Sequence, residues 1–274
     1  MTVFIGRSFP YLTLRGKRRG RRQAVPPSSI HVRECSMVEQ EVALSRGRTT
    51  SGVVCVGDTV RRPLKLNSPF VHQLLKHLEA EGFAGAPRFL GIDSANREIL
   101  SFIPGFVPGN LGNFSGAQLL SAARLLRAMH DATTNCDFRG SSEVICHGDA
   151  SPCNCVFVDG VPTAFIDFDA AHAGSRRDDI GYAAWLWLDI GEDIDAELQG
   201  RRLAEFFAAY GDVDIRDAVP AVIDAQVRLA ARSGTPRAWA ERCRDWTERN
   251  KARLTSALCD GDRIRIDGIR RLDI

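Results

Sequence analysis

The feature that most constrains the fold of this chain is a change of texture at Ile103-Pro-Gly-Phe-Val-Pro-Gly109. Before it the signals are short strands with one helix. After it they are mostly helices. Val53–Val56 and Thr59–Arg62 are β-prone and separated only by Gly57-Asp58, the two-residue spacing of a tight hairpin. Beyond Pro69, the positions Val71, Leu74, Leu75 and Leu78 follow i, i+3, i+4, i+7, which predicts a one-faced helix over 71–81 ending at Gly82. Pro87–Gly91 and Glu98–Ile103 read as two more strands. On the far side of the break, Ser115 can cap a helix through Leu119, Ala122, Leu126 and Met129. Residues 144–168 read as short strands and loops. Helices are predicted over about 179–189, 195–210, 215–232 and 236–258.

The expected fold is therefore α+β and two-lobed, with no internal repeat. The expected divisions are a basic, disordered arm over 1–36, a sheet-based N-lobe over 37–103, and a helical C-lobe over 104–274 that carries the catalytic loop. The arm holds eight Lys/Arg against the single acid Glu34, so a net charge of +2 for the chain leaves −5 for residues 37–274. A mildly acidic body argues against a nucleic-acid partner, whose phosphates need a cationic face, and leaves the arm as the only hint of one. The longest apolar run, Ala183–Leu188, is far short of a membrane span. Eight irregularly spaced cysteines make no disulfide framework, and with no signal-peptide pattern the expectation is a cytoplasmic protein with reduced thiols.

The chemistry concentrates in His147-Gly-Asp149-Ala-Ser-Pro-Cys-Asn154, followed by Ala164-Phe-Ile-Asp167-Phe-Asp169. Phosphoryl transfer to a hydroxyl needs a carboxylate beside the acceptor oxygen and oxygen ligands to hold Mg²⁺ against the phosphates. A loop that turns back at Pro152 lets Asp149 and Asn154, five residues apart, face one cavity, and the following strand delivers Asp167 at its end. The Asp-to-Asn spacing equals that of the protein-kinase loop H-R-D-x-x-x-x-N, with Gly148 where that loop has Arg.

Together with Asp179-Ile-Gly-Tyr-Ala-Ala-Trp185, these segments closely resemble the aminoglycoside phosphotransferase and choline kinase family of small-molecule kinases, over roughly residues 40–215. The resemblance implies a protein-kinase-like fold with ATP, GTP remaining open, in the cleft between the lobes, and transfer of the γ-phosphate to a hydroxyl of a small molecule. It implies Asp149 as catalytic base, Asn154 and Asp167 as Mg²⁺ ligands, and Asp179 as a buried buttress of the catalytic loop. The lobe junction at Phe102 and Ile103 is where it implies backbone contacts to adenine.

The N-lobe departs from the family. Where such enzymes pin phosphates with a Lys paired to a Glu on the next helix, this strand ends in Arg61-Arg62 and the helix slot holds His72. Arg61 is the expected phosphate anchor, favoured over Arg62 by the Val-Arg-Arg-Pro run, and the ion pair is expected to be absent or rearranged. The loop 45–52 has only Gly47 and Gly52, a weak phosphate cover to which Arg46 or Arg48 could add. A zinc reading of Cys146, Cys153, Cys155 and His147 lacks paired metal-ligand spacing. His130 and His147 read as structural hydrogen-bonders, and Trp185 and Trp187 as packing. Asp189, Glu192, Asp193, Asp195 and Glu197 raise the possibility of a cationic acceptor such as an aminoglycoside or aminoalcohol, against a solvated face as the plainer reading. The alternative function is a catalytically inactive, nucleotide-binding regulatory module of the same fold.

Overall fold

The structure, a computed structural model, describes residues 30–31, 41–44, 52–111, 114–191, 194–232 and 236–258. The rest of the arm, with the loop residues 45–51, lies outside the described residues. Ile30–His31 (β1) form a short strand that pairs with Phe106–Val107.

The first sheet is antiparallel and five-stranded. It is built from Val42–Ala43 (β2), Val54–Val56 (β3), Thr59–Pro63 (β4), Phe89–Ile92 (β5) and Arg97–Ser101 (β6), in the order β2-β3-β4-β6-β5. Gly57 turns the β3–β4 hairpin at φ 59°, the left-handed backbone that its position requires. Between β4 and β5 runs Ser68–Ala80 (α1). It starts on Pro69 and buries Val71, Leu74, Leu75 and Leu78, the stripe its spacing announces. Sheet and helix make one lobe.

The chain then crosses through 102–105 to Phe106–Val107 (β7). Gly116–Thr133 (α2) is closed by a reciprocal capping box between Ser115 and Gln118. Val144–Cys146 (β8), Cys155–Val158 (β9), Val161–Phe165 (β10) and His172–Gly174 (β11) form two small sheets, β1-β7-β9-β10 and β11-β8. Arg176–Leu188 (α3), Ala196–Tyr210 (α4), Ala218–Ala230 (α5) and Pro236–Arg249 (α6) follow, with helix again over 251–258. All four begin within three residues of the sequence expectation, and for three of them the caps Ser175 and Asp195 and the helix-starting Pro236 are local signals.

α3 is buried nearly all round, including Trp185 and Trp187. Trp185 stacks on Trp239 at 4.6 Å, and Trp187 donates from Nε1 to the Ala150 carbonyl. This helix is the post on which the loop 147–154 is hung. No described helix is long and apolar enough to cross a membrane. The described cysteines are free thiols, and burial pushes those of Cys146 and Cys155 far above the usual range.

Candidate active site

The loop between β8 and β9 carries Asp149 and Asn154. Its shape is set from beneath by Asp179 on α3. Asp179 Oδ2 accepts the His147 backbone N–H at 2.7 Å, Oδ1 accepts that of Gly148 at 2.9 Å, and His130 lies at 3.0 Å from Oδ2. Burial disfavours the Asp179 charge, but the hydrogen bond and electrostatic pull of His130, with the contacts from His147, hold its pKa below the usual carboxylate range. His130 is tied in turn to the Tyr210 hydroxyl at 2.6 Å. His130, Cys146 and Asp179 cluster tightly, but both carboxylate oxygens already accept backbone N–H groups, so the trio reads as a loop support.

Gly148 departs from the kinase loop for a steric reason. Its φ is +73°, and a Cβ there would sit 2.3 Å from the Ala170 carbonyl oxygen. The backbone of 170 crosses directly over the loop, so no side chain fits. His147 is fully buried, with Nδ1 accepting from the Asp149 N–H at 3.3 Å and Nε2 3.2 Å from the Ile166 carbonyl. Both ring nitrogens are occupied in shaping the loop.

Asp149 is half-buried. Tyr182 donates its hydroxyl to Asp149 Oδ1 at 3.1 Å, and Asn154 donates from Nδ2 to Oδ2 at 2.9 Å. This network assigns the Asn154 nitrogen to the Asp149 side and leaves Oδ1 as the atom able to ligate a cation. The Asn154 carbonyl accepts the Ile166 N–H at 2.9 Å, which fixes the segment leading into Asp167 beside the loop. Asp167 is a non-glycine residue at φ 63°, ψ 60°, a sparsely populated conformation of the kind that gathers at functional sites.

Across the cleft stands Arg62. It contacts Asp167 Oδ1 through Nη1 at 3.1 Å and Asp169 Oδ1 through Nη2 at 2.8 Å. Lys65 also pairs with Asp169, and Asn67 donates to the carbonyls of Asp169 and Ala171. Burial and the neighbouring Asp169 charge push Asp167 up to about 6, against the pull of Arg62 and Lys65. Asp169, although burial opposes its charge, is held below the carboxylate range by Arg62 and Lys65.

One expectation needs correction. Arg61 is not in the cleft: strand alternation turns it to the other side of the sheet, where it pairs with Asp93 at 3.5 Å. Arg62, only 7% exposed, is the residue that reaches Asp167. At the lobe junction the Phe102 N–H donates to the Asp58 carbonyl at 2.8 Å. Phe102 and Ile103 do lie half-buried in the segment joining the two lobes. Sequence reasoning left Lys65 and Asn67 unmentioned and Asp169 without a role. It also missed Glu98, a fully buried acid on β6 whose Oε1 lies 2.7 Å from Arg62 Nε. The signal was present, since Glu98 shares the buried phase of its strand with Leu100.

The acidic stretch is partly structural. Asp189 ends α3 in a left-handed conformation, and Asp195 caps α4 by accepting the Leu198 N–H; Glu192 and Asp193 lie outside the described residues. Asp195 and Glu197 remain exposed, both within 3.7 Å of Arg253.

Comparison with known proteins bears on the same segment. The profile described as APH, phosphotransferase enzyme family, matches residues 137–222, which span the loop 147–154, Asp167, Asp169 and α3. A trifolitoxin immunity protein from Rhizobium leguminosarum bv. trifolii is 34% identical over 180 residues, covering 60% of this chain and 68% of that protein. Choline kinase from Cryptosporidium parvum aligns with a TM-score of 0.48 at 11% identity, over 84% of this chain and 90% of that one. The aminoglycoside phosphotransferase APH(3'')-Id from Streptomyces rimosus, solved with ADP and streptomycin, aligns at 0.47 and 15% identity, over 61% and 86%. The family profile falls on the loop and helix that hold Asp149, Asn154, Asp167 and Asp179 together, and with the extent of the bacterial relative it gives the conclusion that this chain belongs to the phosphotransferase enzyme family.

Proposed function

We propose that this protein transfers the γ-phosphate of ATP to a hydroxyl group of a small molecule. The nucleotide would bind against the N-lobe, over 37–103, and the acceptor against the C-lobe, over 104–274. The observation that carries this reading is a run of contacts: Asn154 on Asp149, the Ile166 N–H on the Asn154 carbonyl, and Asp167, next in the chain, on Arg62.

Asp149 is the base. Its carboxylate is held by two neutral donors, Tyr182 and Asn154, so it keeps an aimed lone pair for the acceptor proton. Asn154 Oδ1 and the Asp167 carboxylate are hard oxygen donors suited to Mg²⁺, and Asp167 already accepts a cation in the form of the Arg62 guanidinium. Mg²⁺, when bound there, supplies charge compensation for the phosphates. Arg62 and Lys65 add fixed positive charge from the other lobe, and the rest of the rate enhancement is positioning.

Several features support this over the inactive-module reading. The base, its two orienting donors and the acidic pair are all present together. The bacterial relative is named for immunity to a toxin, which fits chemical modification of that toxin. The test is ADP release from Mg-ATP with a panel of alcohols, amino sugars and aminoalcohols, comparing the wild type with Asp149→Asn. Acceptor-dependent turnover that the substitution abolishes is the expected result. Equal ADP release by both proteins would overturn the enzyme reading.

A further inference from the structure

We infer that Glu98 and His72 are positioning residues for Arg62, and that together they replace the strand-to-helix ion pair of kinases with a sheet-borne clamp. This rests on the phosphotransferase reading above, and goes beyond it in assigning who holds the phosphate anchor.

Arg62 and Glu98 are direct cross-strand partners in the β4–β6 ladder, so their side chains leave the sheet on one face. Glu98 is fully buried, and its two oxygens have different partners. Oε1 lies 2.7 Å from Arg62 Nε, an ion pair not aligned as a hydrogen bond. Oε2 lies 2.7 Å from His72 Nε2 on α1. The His72 ring is itself fixed, stacked on Phe89 at 3.8 Å and 19°. A buried carboxylate is costly unless paired, and here the strand and the helix each supply one partner.

The division of labour within the guanidinium follows. Nε is turned back toward the sheet, and both terminal nitrogens project across the cleft to Asp167 and Asp169. An ammonium has no such fork, which gives a reason for Arg where kinases use Lys. The helix supplies no acid at this point. It reaches the anchor only through His72, so the orientation of Arg62 is set within the sheet and α1 is tethered to it afterwards.

The test is Mg-ADP affinity by titration calorimetry, set beside the melting temperature of the nucleotide-free protein. The proteins are the wild type, Glu98→Gln, His72→Phe and His72→Gln, with Arg62→Ala as reference. His72→Phe keeps the stack on Phe89 and loses the polar contact, whereas His72→Gln can restore a donor to Glu98. Glu98→Gln and His72→Phe should each weaken Mg-ADP about 10-fold, with His72→Gln within about twofold of wild type. In turnover, the loss should fall on the KM for ATP more than on kcat. Variants that melt lower but bind Mg-ADP like wild type would overturn the inference and leave the phosphotransferase reading standing. Should Glu98→Gln not fold, the His72 pair decides alone. A wild type that does not bind Mg-ADP would overturn both.

Discussion

Asn154 grips Asp149 twice, donating from one amide nitrogen to the backbone carbonyl at 3.0 Å and to the carboxylate at 2.9 Å. One side chain thus fixes the turn and the direction of the carboxylate together. With Tyr182 on the other oxygen, the carboxylate has little rotational freedom. Such pre-orientation is what a proton acceptor needs when catalysis is mostly geometry.

Removing the charge while keeping the side chain's shape isolates the proposed base. Asp149→Asn is expected to lower kcat by about 10²–10⁴-fold, the range for loss of a positioned general base, with the KM for ATP little changed. Steady-state ADP release measures both. A fall in ATP affinity equal to the fall in kcat would mean that Asp149 serves nucleotide binding instead.

Adjacent arginines on one strand give a sharp contrast. Arg61 makes a partly exposed pair with Asp93, so Arg61→Ala should cost at most about 1 kcal/mol and leave ATP kinetics unchanged. Arg62→Ala strands Glu98 in the sheet and removes the cation shared by Asp167 and Asp169. Burial works against the Arg62 charge, yet Asp169, Glu98 and Asp167 raise its pKa, so the residue is a cation throughout the working range. The expected cost is about 3–5 kcal/mol, read by denaturant unfolding, together with a large rise in the KM for ATP. Equal effects at the two positions would contradict the placement of β4.

That contrast also marks what the sequence could reveal. The hairpin at Gly57, the cap at Ser115, the stripe of α1 and the loop from His147 to Asn154 are local patterns, decided by residues a few positions apart. The choice between Arg61 and Arg62 depends on which face of β4 meets the other lobe. Two adjacent arginines carry no alternation to decide it, and three of the strand's five residues are half-buried. Glu98 is 36 positions from its partner Arg62, and only strand register brings them together. Asp169 takes its partners, Arg62 and Lys65, from the opposite lobe, so its environment is a product of tertiary structure alone. Local chemistry was legible; cross-lobe pairing was not.

Acid should act through Asp179. Its folded pKa lies below its unfolded value of about 3.9, so its ionised form contributes stability that is fully present above that value and is lost as pH falls toward the folded pKa. Asp179→Asn removes this dependence and leaves two backbone N–H groups, those of His147 and Gly148, facing an amide with a single acceptor oxygen. Thermal melting from pH 7 to pH 3 should show the substituted protein lower by about 3–5 kcal/mol at neutral pH, with the gap narrowing at the acid end. A gap that stays constant across the range would mean that Asp179 is not ionised in the folded protein.

Gly148 offers the most direct check on how the loop passes under residue 170. In Gly148→Ala the new methyl would meet the Ala170 carbonyl at 2.3 Å, and the backbone at φ +73° disfavours any L side chain by about 1 kcal/mol before that contact is counted. Relief requires the 168–170 turn to move, and that turn carries Asp169 and follows directly on Asp167. The substitution is therefore expected to cost at least about 2 kcal/mol in stability and to lower turnover, although a methyl group touches neither nucleotide nor acceptor. Unfolding in urea and Mg-ADP titration distinguish the effects. Normal stability with normal Mg-ADP affinity would show that the two segments are not packed as described.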